Sequence, residues 1–275
     1  MPKTVDIRIY KIGQSQPDTL EIEDWLQDLG VSEEFELPEP PELPPSELVP
    51  ALAAKRCYMS FEPGMNKNVT QVRKDYDEYF ANILKSGHGS VLEHTYYSFA
   101  IEGVSRVFTA EMNRHRAGWA ISEASMRFIR FDECIPYWLP TSIMEAPDDD
   151  ESLSAKKRRT RAIFDRVFKF VEENYAELMQ IWDMDETDKN FDYKKKVTSC
   201  LRRIVPLGVA TGGVWTGNIR ALRHVLTMRC APSAEEEIMH VFSMIAARMA
   251  EDHPQVFGDF ELDDAGFWRP KYWKV

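Results

Sequence analysis

An α+β fold is predicted for this 275-residue chain by three features of its apolar pattern. Short stretches of period two recur, stretches of helical spacing lie between them, and their order is mixed rather than a regular strand–helix alternation. The strands look antiparallel. With 44% hydrophobic and 12% aromatic residues the chain has material for a core. No repeat or low-complexity tract marks a second domain, so residues 1–275 read as one domain.

Val5, Ile7 and Ile9 alternate with polar residues and predict a half-buried strand in the first ten residues. Residues 13–50 are acidic, and LPEPPELPPSELVP carries six prolines between Pro38 and Pro50. That density argues against helix and central strand, which leaves an extended linker or surface wrap. From Val69 the apolar series Val69, Val72, Tyr76, Tyr79, Phe80 and Ile83 has helical spacing, with Gly87 as its stop. YYSFAIEG at 96–103 reads as a strand, Ser105 to Arg116 as a helix, and Met126 to Phe131 as another strand. DDDE at 148–151 followed by KKRRTR suits the exposed start of a helix running to about Trp182. The glycine-rich GVATGGVWTGN at 208–218 reads as a strand with close backbone packing. Ser233 and Glu236 form a capping-box pattern before the amphipathic series Ile238, Val241, Phe242, Ile245 and Met249.

Lys+Arg 34 against Asp+Glu 45 gives a net charge of −11, which excludes a broad electrostatic surface for nucleic acid or anionic membrane. No run of ~18 apolar residues exists, and MPKTVDIRIY lacks a hydrophobic signal core, so a soluble cytoplasmic protein is expected. Cys57, Cys134, Cys200 and Cys230 are widely spaced and read as reduced, buried, structural thiols. His88 and His94 flank Glu93, but no third ligand of proper helical spacing accompanies them, so no metal is expected.

Arginine is distributed unevenly. No lysine occurs between Ser86 and Ala155, where Arg106, Arg114, Arg116, Arg127 and Arg130 lie. None occurs between Val197 and Cys230, where Arg202, Arg203, Arg220, Arg223 and Arg229 lie. Solubility would be served by either cation, so the bias indicates a need for the planar guanidinium, either in structural ion pairs or in recognition of phosphates or a planar heterocycle. The glycine-rich stretch at 208–218 lacks the Gly-Lys-Ser/Thr ending of a P-loop and does not match G-x-G-x-x-G. NRHRAGWAISEASMRF at 113–128 sets Arg114, His115 and Arg116 in succession. Consecutive residues cannot share one helix face, so the triplet serves two sides or sits where a helix ends.

These residues resemble the flavin-dependent thymidylate synthases, whose motif is Arg-His-Arg, seven residues, then Ser-x-Arg-Tyr/Phe. Here RHR at 114–116 leads to Ser125, Arg127 and Phe128. GHGSVLEH at 87–94, IEGVSR at 101–106, RRIVP at 202–206 and TGNIRALRHVLTMR at 216–229 follow the family's order, and the likeness runs from about Ala53 to Phe257. The resemblance implies a central antiparallel sheet with surrounding helices and a homotetramer with active sites between subunits. It implies reductive C5-methylation of dUMP to dTMP, with FAD as cofactor, 5,10-methylenetetrahydrofolate as carbon donor and NADPH as reductant. Carried over by position, it implies FAD contacts from His88, Ser90, Glu93, Arg114, His115, Arg116, Glu123, Asn218, Arg220 and His224. It implies nucleotide contacts from Glu111, Arg114, Glu123, Ser125, Arg127, Arg202 and Arg229, with Arg229 as the base-activating, catalytic residue. One departure stands out: eight residues, AGWAISEA, separate Arg116 from Ser125. The family also includes a variant from nucleoside-antibiotic biosynthesis that methylates UMP, and a remodelled loop leaves dUMP and UMP both open as substrates.

Overall fold

The computed structural model of the chain describes residues 3–31, 35–38, 40, 42–61, 66–69, 72–131, 134–144 and 150–275. Its elements in chain order begin with strands β1 (Lys3–Thr4) and β2 (Arg8–Gln14) and helices α1 (Thr19–Asp28), α2 (Pro45–Tyr58) and α3 (Tyr76–Ser86). A 3-10 turn (Gly89–His94) leads to β3 (Tyr96–Ser105), α4 (Arg106–Met112), β4 (Trp119–Glu123), β5 (Pro136–Tyr137) and α5 (Thr141–Met144). The long α6 (Glu151–Ile181), α7 (Phe191–Leu201), a 3-10 turn (Arg202–Ile204), β6 (Ala210–Asn218) and α8 (Ile219–Arg229) follow. The chain closes with α9 (Glu236–Asp252), α10 (Pro254–Phe257), β7 (Phe260–Leu262) and β8 (Trp268–Pro270). This mixture of helices and sheet is the expected α+β class.

The proline-rich segment departs from the expectation of an extended wrap, because α1 and α2 both form within 13–58. Asp18 caps α1 by accepting the Glu21 N–H. In α2, Pro45 occupies the first turn, where no intrahelical donor is needed, and Pro50 lies inside the helix. Proline there removes the donor that would reach the carbonyl four residues back, that of Ser46. The buried Thr95 hydroxyl donates to that carbonyl instead, at 2.5 Å. Burial of Leu48, Ala51, Leu52 and Ala54 then favours the helix. Of the six prolines, Pro41 lies outside the described residues.

Other boundaries also shift. The helix expected from Val69 begins at Tyr76, because the Asp75 side chain accepts the Glu78 N–H and caps it there. Gly87 ends it as expected, at φ 70°. The helix expected over Ser105–Arg116 runs from Arg106 to Met112, with Ser105 as its cap, so the Arg-His-Arg triplet lies beyond the helix end. Met126–Phe131 is not a strand: Phe128 and Ile129 N–H groups close a turn on the Ser125 carbonyl. The strand is Trp119–Glu123, inside the eight-residue loop. Helix α6 starts and stops where expected, capped by Asp150; Asp148 and Asp149 lie outside the described residues. The start of α9 is fixed by Glu235, whose carboxylate accepts from Glu237 and Ile238 N–H, and not by a Ser233–Glu236 box. The cysteines are free, but Cys57 and Cys200 are exposed and only Cys230 is buried; burial raises the Cys230 thiol to about 11.

The contacts gather into two units. Unit 1 comprises Met1–Arg8, Ala100–Arg114 and Ile121–Val214; unit 2 comprises Ile9–Phe99, His115–Ala120 and Trp215–Val275. The four-stranded sheet has the order β2-β3-β6-β4. In unit 1, Arg106 N–H bonds Val209 and Ala124 N–H bonds Gly212. In unit 2, Ser15 N–H bonds Tyr96, Ile219 N–H bonds Thr95 and Asn218 N–H bonds Gly118. Each pair joins the start of one strand to the end of its neighbour, so the neighbours are antiparallel. β7 and β8 are antiparallel, whereas β1 and β5 are parallel.

Unit 1 is cored by Met126, Ile135, Tyr137, Leu139, Phe168 and Val209, with the Tyr137 and Phe168 rings stacked at 4.1 Å. Tyr175, Met179, Met184, Val197 and Leu201 join α6 to α7. In unit 2, α8 packs on α9, and α10 on α3 and α9. There Arg223 is buried and spends its guanidinium on Asp259, at 2.5 and 2.9 Å, and on the Val256 and Tyr272 carbonyls. Among the described residues no helix is long and apolar enough to cross a membrane.

Candidate functional site

Unit 2 carries most of the expected cofactor residues, and its strand-to-helix corner at β6–α8 supplies three of them, Asn218, Arg220 and His224. Asn218 is buried and caps α8, accepting the Ala221 N–H at 2.8 Å. Arg220 and His224 are one turn apart and share a face. Arg220 donates to Glu93 at 2.5 Å, which ties α8 to the 3-10 turn that also exposes Ser90. His88 precedes that turn, edge-on to Tyr58 at 5.4 Å. Gly89 is needed there, because a Cβ would stand 2.9 Å from Arg220 Nε and 2.7 Å from the Val275 carbonyl carbon.

The last turn of α8 brings Arg229 to the Arg-His-Arg triplet. Arg229 Nε donates to His115 Nε2 at 2.9 Å, and the His115 ring lies edge-on to His224 at 6.4 Å. For that bond to form, Nε2 must carry a lone pair, which puts the proton of a neutral imidazole on Nδ1. The bond sets the guanidinium plane. Arg116 is exposed, and its carbonyl accepts the Trp119 N–H at 3.3 Å. Gly118 follows at φ 73°, where a Cβ would come within 2.7 Å of Asn218 Nδ2 and Ala221 Cβ. Trp119 lies against Gly217, where a Cβ would meet its ring at 2.8 Å; the indole Nε1 is buried without a hydrogen-bond partner.

Unit 1 holds the remaining residues. Glu111 lies on α4 and its carbonyl accepts the N–H of Arg114, an exposed residue, at 3.2 Å. Glu123, expected to touch both ligands, is braced within the chain. One carboxylate oxygen is held by Arg106 in an ion pair, and the other accepts from Asn113 Nδ2 at 3.0 Å. Arg106 was absent from the expected site set, although the lysine-free arginine series contained it. Burial and the neighbouring Arg202 guanidinium lower its pKa, which brings Arg202 into the same cluster. The Ser125 hydroxyl accepts the Arg127 N–H at 3.4 Å. Arg127 is exposed beside the Phe128 ring at 5.7 Å, and it borders a shallow cavity of about 460 Å³ with Lys195, Lys196 and Arg203. Phe128 stacks on Phe191 of α7 at 5.9 Å, which anchors the turn that carries Ser125 and Arg127.

Both readings of the arginine bias therefore apply. Arg223 and Arg130 spend donors on the protein itself, Arg130 on the Met184 carbonyl. Arg114, Arg116, Arg127 and Arg220 present their side chains outward. Within unit 2 the guanidiniums of Arg116 and Arg220, the imidazoles of His88 and His224 and the Asn218 amide, with Glu93 already paired, suit phosphate groups and a polar heterocycle, so these residues fit a flavin dinucleotide.

A family described as thymidylate synthase complementing protein matches residues 42–255. The flavin-dependent thymidylate synthase of Mycobacterium avium is 30% identical over 210 residues, 76% of this chain and 78% of that protein. That of Corynebacterium glutamicum is 28% identical over 218 residues, covering 79% and 81%. Among solved structures, the UMP/dUMP methylase PolB of Streptomyces cacaoi bound with 5-Br dUMP superposes with a TM-score of 0.62 at 16% identity, covering 94% of this chain and 96% of that one. Thymidylate Synthase X of Helicobacter pylori with FAD and dUMP gives 0.50 at 19% identity, covering 78% and 94%. At these identities the solved structures speak for the fold.

Proposed function

The chain belongs to the thymidylate synthase complementing protein family, the flavin-dependent thymidylate synthases, and from that premise we propose that it reductively methylates C5 of dUMP to dTMP. In this reading FAD is the cofactor, 5,10-methylenetetrahydrofolate the carbon donor and NADPH the reductant, in a homotetramer with sites between subunits. The observation that carries it is the Arg229–His115 pair beside His224.

Uracil C5 is a weak nucleophile that strengthens as negative charge gathers at N3 and the carbonyl oxygens. A guanidinium held in a fixed plane beside the base favours the N3-ionised form, because the opposite charge lowers the base's pKa and needs no reorganisation during the reaction. Arg229, oriented by His115, has that role. Arg127, Arg202 and the Ser125 hydroxyl suit phosphate and pyrimidine-edge recognition, with Glu111 accepting from the nucleotide. Glu123, braced by Arg106 and Asn113, positions the loop. His88, Ser90, Arg114, Arg116, Asn218, Arg220 and His224 would hold FAD, and Glu93 fixes Arg220 toward it. When bound, FAD supplies hydride transfer.

Purified protein given dUMP, methylenetetrahydrofolate, NADPH and FAD is expected to form dTMP. A flavin-loaded protein that forms none would overturn the reading. A parallel arm with UMP decides the nucleotide, and turnover of UMP equal to or above that of dUMP would replace dUMP as the substrate.

A further inference from the structure

Lys55 on α2 is 3% exposed, a rare state for a lysine. Its ammonium lies 4.8 Å from the Tyr79 ring centroid and 5.8 Å from those of Tyr76 and Phe35. Its hydrogen bond goes to the Arg73 carbonyl, at 3.5 Å, which is long for such a bond. Among the described residues no carboxylate pairs with it. The aromatic faces offset part of the cost of burying the charge, and burial lowers the lysine's pKa; among the described residues the Arg73 carbonyl is the one hydrogen-bond acceptor for its three donors.

A cavity of about 380 Å³ opens beside Lys55 and Arg73, walled also by Ser60, Asn68, Asn82 and His88. Among the described residues no Asp or Glu lines it, in a chain whose net charge is −11. Lys55 and Arg73 also border a second cavity of about 420 Å³, with Lys74, but Glu36 and Glu42 line that one and would repel an anion. The first cavity is of the size that takes a small organic ligand. Its walls carry the cations Lys55 and Arg73, the amides of Asn68 and Asn82, the His88 imidazole and the hydroxyl residues Tyr58, Ser60, Tyr79 and Ser86.

We propose that this cavity of unit 2 is a binding site for a small oxyanion, a phosphate or a carboxylate, whose charge is neutralised by Lys55 and Arg73 and whose oxygens are met by Ser60, Asn68 and Asn82. The anion supplies the buried ammonium with acceptors beyond the Arg73 carbonyl. Of the cavity's walls His88 is shared with the residues assigned to FAD, and the proposal rests instead on Lys55, Arg73, Ser60, Asn68 and Asn82.

The test is thermal denaturation of the full chain titrated with inorganic phosphate and, separately, with glutarate, each against chloride at equal ionic strength. A saturable rise of the midpoint with one or both is expected, and the ion that gives it identifies the class. Lys55→Met is expected to abolish the rise, and Asn82→Leu, at an exposed rim position, to weaken saturation about tenfold by removing a hydrogen bond to a charged group. Arg220→Ala is expected to leave it intact, because that residue belongs to the candidate cofactor cluster. No saturable rise with either ion, a rise that survives in Lys55→Met, or one lost in Arg220→Ala would overturn the proposal. If Lys55→Met does not fold, Asn82→Leu and Arg73→Gln carry the test, and an unchanged saturation constant in both overturns it.

Discussion

Arg229 Nε donates to His115 Nε2 at 2.9 Å, joining the end of α8 to the middle of the Arg-His-Arg triplet 114 residues earlier. The bond fixes which edge of the guanidinium points away from the histidine. Arg229→Ala is expected to lower methylation by about 100-fold or more, the usual loss when one preorganised donor is removed, while FAD uptake stays near that of the parent. His115→Ala keeps the charge and loses only its orientation, so a smaller fall, about tenfold or 1.4 kcal/mol, is expected. Steady-state assays of both variants check this, and near-normal turnover of Arg229→Ala would remove Arg229 from the reaction.

Arg114 is exposed just beyond α4, at the triplet position expected to meet both ligands. Arg114→Ala is expected to weaken FAD and nucleotide together, by about tenfold each, as the loss of a hydrogen bond to a charged group predicts. Fluorescence titration of flavin and calorimetric titration of dUMP measure the two affinities. Unchanged values for both would separate Arg114 from the site.

Arg106 and Asn113 share the Glu123 carboxylate. Arg106→Ala leaves that partly buried carboxylate without its cation and is expected to destabilise the chain by about 1–3 kcal/mol. In a double-mutant cycle with Glu123→Gln, a coupling of about 0.5 kcal/mol or more is expected from residues in direct contact. Additive losses would show that the pair does not stabilise the chain.

Thr95 substitutes for the donor that Pro50 denies to Ser46. Thr95→Val is expected to destabilise by about 1–3 kcal/mol, the cost of leaving a buried carbonyl unpaired. In a Pro50→Ala background, where residue 50 regains its N–H, the same change is expected to cost much less. Urea denaturation of the four proteins decides it, with equal losses in the two backgrounds counting against the substitution of donors.

Glu47 is fully buried, 2.9 Å from His253 Nδ1, and Lys11 lies on the other side of that imidazole, also paired with Asp252. Burial raises the Glu47 carboxyl above its ordinary 4.5; His253 and Lys11 oppose the shift, and Asp77 adds to it. The folded chain therefore keeps a proton that the unfolded chain has released. This contribution to stability is full below 4.5 and is lost as pH rises through the elevated folded value. Asp252 acts elsewhere: burial pushes its carboxyl up, but Lys11 and Arg248 outweigh that and lower it below 3.8, so its contribution is lost only in stronger acid. Glu47→Gln is expected to flatten the decline of stability from pH 4.5 upward, read from denaturation midpoints across pH. An unaltered slope would assign the decline to other groups.

Local signals alone carry the helical series into Gly87, the long α6, the alternation of β3, the glycine-rich β6 and the ordered motifs of the family. Periodicity and turn residues act within a few positions, so they are legible without a partner. Tertiary structure decided the rest. Helix forms through Pro50 because Thr95, 49 residues after Ser46, satisfies the Ser46 carbonyl that the proline orphans. Strand β4 lies at 119–123, inside the long loop, because its ends hydrogen-bond β6 at Gly212 and Asn218, whereas the alternation at Met126–Phe131 has no ladder to join. Among chemically identical guanidiniums, Arg223 is committed to Asp259 and Arg229 to His115, a division set by distant partners that only the folded chain brings within hydrogen-bond reach.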